Sequence, residues 1–171
     1  MNGQLAQFTE TKTGNGLVVA QNQITYIPSI INAEGYFANP GKVIDAFIKV
    51  MDILMLDGET MMNIALERSY ETTWDTSATS LGLLINREQI TSIGSSAIGL
   101  RIPFLRDDIH GELKIEPFFS LPTRYYLGCN CATVKPHPIS EAQEIFTRML
   151  GLITDEFEVL AKNIFEGETQ V

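Results

Sequence analysis

The 171-residue sequence has few residues of the kinds that most often carry chemistry: two cysteines, two histidines and one tryptophan. Basic residues are scarce too. Twelve Lys and Arg stand against twenty-one Asp and Glu, a formal charge of −9, which excludes a nucleic-acid binder that works by neutralising phosphates. Charged residues of both signs make up 19% of the chain, below the roughly 25% usual for soluble domains. The surface is therefore covered by uncharged polar side chains or by another molecule, and burial in an oligomer is mildly favoured. No run reaches the roughly 18–20 apolar residues of a membrane-spanning helix; the longest, Val43 to Leu56, is broken by Lys49 and Asp52. The N-terminus lacks the basic start and apolar stretch of a secretory signal, and Gly3 sits one place too late for myristoylation. With two cysteines, the expected compartment is the cytoplasm and no membrane association is expected. Thirteen Gly and seven Pro without period exclude collagen-like and low-complexity chains, and 44% apolar content excludes a disordered one.

What is present reads as one domain, a loose polar arm over residues 1–15 followed by a single α+β domain over 16–171. Leu17–Val19, Ile24–Ile27, Ile30–Ile31 and Tyr36–Phe37 are β-branched and aromatic, so one or two strands open the domain, with a break at Pro28. Asn39-Pro40-Gly41 is a helix start. Val43, Phe47, Val50 or Met51, and Leu54 then recur at steps of three and four until Asp57-Gly58 stops them. From Met62 to Val134 the period is two. Ile64, Leu66, Arg68, Tyr70, Thr72 and Trp74 alternate with polar neighbours, as do Leu113 and Ile115, and Tyr125, Leu127, Cys129 and Cys131. Leu81–Ile85, Gln89–Ile93 and Ile98–Leu105 read as shorter strands, and Arg106–Gly111 as a hairpin loop. That makes five or six antiparallel strands after the first helix. Ser140 and Gln143 have capping-box spacing, and Phe146, Met149 or Leu150, Ile153, Phe157, Leu160 and Ile164 form a stripe along a long terminal helix. On that wheel Glu144, Asp155, Glu158 and Lys162 point to water. Phe157→Ala should then cost about 3–5 kcal/mol, and Glu158→Ala nothing.

The constellations that could carry chemistry are sparse. Cys129-Asn130-Cys131 has one residue between its thiols where zinc sites usually have two to four, and only His110 and His137 could complete four ligands. Packing in a strand core explains the pair better, so no metal and no cofactor is expected. Neither histidine lies in a triad setting, and no Ser stands in a Gly-x-Ser-x-Gly turn. The best acid–base set would be His110 with Asp107 and Asp108, and no catalytic residue is assigned from it. Arg68 and Arg101 stand out because each lies inside a strand-like run. An inward Arg must find a carboxylate or a ligand anion; the simpler reading is that a bulge turns Arg68 outward.

The order of elements resembles the helix-grip arrangement of START and Bet v 1-like domains, in which a curved antiparallel sheet of about six strands wraps a long C-terminal helix. A longin- or profilin-like α+β domain, with fewer strands after the first helix, is the alternative. Two functions follow as expectations. The first is a non-catalytic, homo-oligomeric interaction or assembly module. The second, which the resemblance implies, is a binding domain for a small apolar ligand, with Arg68, Trp74, Arg101, Phe104, Phe119 and Tyr125 as the residues that would hold it.

Overall fold

The computed structural model describes residues 4–12, 14–20, 23–28, 40–83, 87–92, 94–95, 97–118 and 120–165. Ile30 to Phe37, Asn39 and Phe119 lie outside them. The fold is α+β with antiparallel sheets, and the chain divides into two compact units, Met1–Asp57 and Gly58–Val171.

In the first unit, strands β1 (Gln4–Thr9), β2 (Gly16–Ala20) and β3 (Gln23–Ile27) form an antiparallel sheet in that order. Residues 1–15, read from composition as a loose arm, thus include a strand, with Gln7 opposite Val18 and Phe8 opposite Leu17. Ladder bonds use the backbone alone, so a segment of mixed polar and apolar residues without alternation can still pair. Helix α1 (Gly41–Ile53) follows Pro40 and buries Ile44 and Met51, while Lys42, Asp45, Lys49 and Asp52 are exposed. Tyr26 of β3 stacks on Phe47 of α1 at 6.3 Å between ring centroids. The helix does not run on to Gly58. Met55 takes a left-handed φ of 51°, and the N–H groups of Met55 and Leu56 donate to the Asp52 and Met51 carbonyls at 3.0 and 3.1 Å. This is the double-bonded helix ending that glycine usually makes, closed here by a methionine.

The second unit centres on a four-stranded antiparallel sheet of β5 (Asn63–Glu71), β6 (Leu100–Arg106), β7 (Ile109–Phe118) and β8 (Leu121–Thr133), in the order β5-β8-β7-β6. A separate two-stranded ladder joins β4 (Glu59–Thr60) to β9 (His137–Pro138). Register places the alternating side chains in rows across the large sheet: Leu66, Cys129, Leu113 and Ile102 in one, Arg68, Leu127, Ile115 and Leu100 in the next. Leu113, Ile115, Leu127, Cys129 and Cys131 are buried, so this is the core face. The β6–β7 hairpin turns on Asp107-Asp108 alone, with Asp107 at φ 53°, a conformation Asp tolerates better than most residues. The runs expected as strands around Leu81 and Gln89 are instead helices, α2 (Thr76–Gly82) and α3 (Arg87–Ser92). Polar contacts decided α2. Asp75 caps it, its Oδ1 accepting from the Ala78 N–H at 3.0 Å. The buried Thr76 hydroxyl reaches the Pro122 and Arg124 carbonyls at 3.0 and 2.9 Å, and Ser80 Oγ accepts from the Ile98 N–H at 3.0 Å.

Gly111 stands opposite Phe104 in the β6–β7 ladder. A Cβ there would meet the Asn130 carbonyl oxygen and, at 2.8 Å, the Phe104 ring, whereas one on Gly82 would meet nothing. Gly111→Ala should therefore lower stability by about 1–3 kcal/mol through overpacking. Gly82→Ala, at a helical position, should raise it by about 0.4–1 kcal/mol. Urea unfolding midpoints of the two variants check both signs.

Candidate functional site

The terminal helix lies on the core face of the large sheet and has three parts: α4 (Ala142–Gly151), a π-helical segment (Leu152–Phe157) and α5 (Glu158–Phe165). A 3-10 turn, Ile139–Glu141, leads into it. Its i→i+3 bonding supplies the start, the Ala142 N–H donating to the Ile139 carbonyl. Glu141 takes the cap position with no side-chain bond, so the Ser140–Gln143 capping box does not form. Up to Ile153 the stripe is as periodicity demands, with Ile145, Phe146, Met149 and Ile153 buried.

Beyond Ile153 the periodicity misleads. A π turn spends one residue more than an α turn, so everything after it arrives one position late. The face expected to carry Phe157, Leu160 and Ile164 carries Glu158, Ala161 and Phe165, all buried, while Leu160 is 40% exposed. Thr154 contributes to the irregularity: its hydroxyl donates to the Leu150 carbonyl at 3.1 Å, a back-bond that perturbs helices.

The displacement has an electrostatic counterpart. Glu158, expected in water, is 8% exposed and forms an ion pair with Arg68 of β5, whose own side chain is 12% exposed. Arg68 thus faces inward, and the partner that an inward Arg requires comes from the terminal helix. Around the pair sit Tyr70, Tyr125 and Phe165, with Tyr70 stacked on Tyr125 at 5.2 Å and Tyr125 on Phe165 at 4.8 Å. Lys162 Nζ lies 5.7 Å from the Tyr70 ring centroid. Burial pushes the Tyr70 phenol above its ordinary value, and the Glu158 charge adds to that against the pull of Arg68.

A second polar cluster ties the β6–β7 turn to the start of the helix. Arg148 Nη2 of α4 is 2.5 Å from Asp108 Oδ1, and His137 Nε2 of β9 is 3.0 Å from Asp108 Oδ2. The other ring nitrogen of His137 is 3.3 Å from Glu141 Oε2. Arg106, beside the turn, pairs with Glu156 of the π segment. Burial raises the Asp108 carboxyl, but Arg148, its own backbone N–H and His137 outweigh that and hold it below its ordinary value.

The six residues expected to hold a ligand do not gather at one place. Arg68 and Tyr125 are neighbours on the core face, and Tyr125 is fully buried. Phe104 lies on the same face two rows away and meets Phe157 of the π segment at 4.7 Å. Arg101 is on the opposite face, exposed, 3.3 Å from Glu112. Trp74, past the end of β5, is 50% exposed, and Phe119 lies outside the described residues. Cys129 and Cys131 are buried free thiols 3.6 Å apart, and the second thiol, with burial, pushes the Cys129 thiol up. Among the described residues no three His, Cys, Asp or Glu side chains gather as a metal set, and no helix is long and apolar enough to cross a membrane. Sequence reasoning missed Glu158, Lys162, His137 and Arg148 as members of these clusters. The available signal was Arg68 itself, which required an acid from elsewhere in the chain. The chain matches no protein-family model, no curated protein and no solved structure.

Two outcomes follow. Glu158→Ala leaves Arg68 buried without its carboxylate and should cost about 3–5 kcal/mol, whereas Arg68→Leu with Glu158→Leu should cost far less, because both charges then leave together. Chemical unfolding of the single and double variants measures the difference. Because the Asp108 carboxyl is held low in the folded state, its contribution is fully present above the ordinary carboxyl value and is lost as pH falls through the lowered one. Asp108→Asn should therefore be less stable than the parent near neutral pH, and the two should converge toward about pH 2, as read from Tm against pH.

Proposed function

We propose that this protein is a non-catalytic interaction module that assembles with further copies of itself through the Trp74 end of its second unit. The supporting observation is a set of exposed apolar side chains, Trp74, Leu83 and Leu121, in and beside a stretch with little charge. From Thr72 to Leu83 the only charged residue is Asp75, and its carboxylate caps α2. Trp74 is half exposed, and Leu83 at the end of α2 and Leu121 at the start of β8 are each 45% exposed. Thr76 bonded to the Pro122 carbonyl, and Thr72 Oγ1 donating to the Phe165 carbonyl at 3.4 Å, hold these segments at the same end of the sheet. Copies with a net charge of −9 repel one another at long range. They can associate stably only where apolar surface is buried without bringing carboxylates together, and this stretch meets that condition. The low overall charge fraction is in keeping with it.

Trp74 is the sole tryptophan, so its emission reports on this surface alone. Raising the concentration from nanomolar to high micromolar should shift that emission to shorter wavelength while light scattering registers a dimer or larger species. Trp74→Glu combined with Leu121→Glu should remain monomeric and keep its fold. A parent protein that stays monomeric throughout, with unmoved emission, overturns the proposal.

A further inference from the structure

The first unit presents an apolar tip. Helix α1 ends at Ile53, and Leu54 and Met55 follow it. Ile53 and Met55, 78% and 88% exposed, are the two most exposed large apolar side chains among the described residues. The backbone of the tip is fixed. The Leu54 N–H donates to the Val50 carbonyl at 3.0 Å, and the N–H groups of Met55 and Leu56 reach the Asp52 and Met51 carbonyls. Met55 holds the left-handed position that a glycine would occupy without strain, as Gly58 does three residues on at φ 87°. Strain at a position whose side chain stands in water gives the fold little. What it provides is a large, adaptable thioether at the surface, a side chain enriched at binding surfaces.

Charge restricts what the tip can meet. Asp52 and Asp57, both exposed, border it, so two tips brought together would set four carboxylates against one another. The Trp74 end has the opposite character. From Thr72 to Leu83 its one charged residue, Asp75, is engaged at the start of α2, and Glu71 and Arg124 at its border are paired with each other. We propose that the tip of one copy docks on the Trp74 end of a second copy, with the Met55 thioether against the Trp74 indole, since sulfur and aromatic rings attract. This docking presupposes assembly through the Trp74 end, as proposed above, and supplies the surface which that end receives. Such a contact is heterologous. Each one leaves a tip free on one copy and an end free on the other, so copies add in a row or close into a ring. Three apolar side chains on either side make a small interface, of the weak and transient class.

The test uses two full-chain variants with complementary defects. Ile53→Glu with Met55→Glu removes the tip and keeps the Trp74 end. Trp74→Glu with Leu121→Glu removes the end, keeps the tip and contains no tryptophan. Each alone should stay monomeric at high micromolar concentration by light scattering. Mixed in equal amounts they should form a 1:1 pair and nothing larger, because one intact tip and one intact end remain between them. The only Trp74 in the mixture belongs to the tip variant, so its emission should move to shorter wavelength as the tryptophan-free variant is added. A chain carrying all four changes should leave that emission unmoved. Met55→Gly in the otherwise unaltered chain should weaken association at least threefold with an equal or higher unfolding midpoint, since glycine accepts the left-handed backbone. A tip variant that assembles as the parent does would mean that the Trp74 end pairs with itself, which overturns the docking and leaves assembly through that end in place. No pairing in the mixture, or unweakened association of Met55→Gly, would also overturn the docking. A parent that stays monomeric with unmoved emission removes both.

Discussion

The second unit is organised around one buried charge. Arg68 occupies a core row beside Leu127 and Ile115, where an uncompensated guanidinium would be too costly to keep. The compensating carboxylate must come from whatever covers that row, and the terminal helix covers it. An uninterrupted α-helix would place Phe157 there. The π segment supplies the one-residue delay that brings Glu158 instead, and with it Ala161 and Phe165. The same register stacks Phe165 on Tyr125 and Tyr125 on Tyr70, and turns Leu160 outward.

The ends of the helix are held by different means. Near its start Arg148 and His137 meet Asp108, and in the π segment Glu156 meets Arg106, so the hairpin turn is joined to the helix at two places. Several of these groups are exposed, so the contacts are screened by water and salt and act mainly to set position. Near its end, Phe165 is buried against Tyr125, and its carbonyl accepts from Thr72. Between them, Phe104 lies over Gly111 and meets Phe157. The helix is thus fixed by polar contacts at one end and by aromatic packing at the other, and the register change falls between the two.

Much of this was legible in the residues. The alternation from Ile64 to Tyr70 and from Tyr125 to Cys131 marks strands with one buried face, because side chains in a strand must point to opposite sides in turn. Arg106 to Gly111 marks the hairpin, though its turn is only Asp107-Asp108, and the steps from Phe146 to Ile153 mark a helix with a core side. The segments around Leu81 and Gln89 were not legible, since short apolar runs do not distinguish strand from helix. Their state depended on Asp75 as a cap and on carbonyls of β8 that Thr76 could reach. Likewise the strand Gln4–Thr9, with apolar Leu5, Ala6 and Phe8 in no regular alternation, leaves no periodic trace, because the ladder that forms it belongs to the backbone.

By itself the sequence determined the α+β class, the antiparallel strands, the terminal helix, and the core face of the sheet and of that helix as far as Ile153, because these depend on neighbours a few residues apart. It also determined that Arg68, if inward, needed an anion. Only the tertiary structure decided which anion. Glu158 lies 90 residues from Arg68, and its side of the helix depends on a single extra residue in one turn. Local periodicity cannot register that choice, since both stripes are present in the chain and the ion pair joins residues far apart in it.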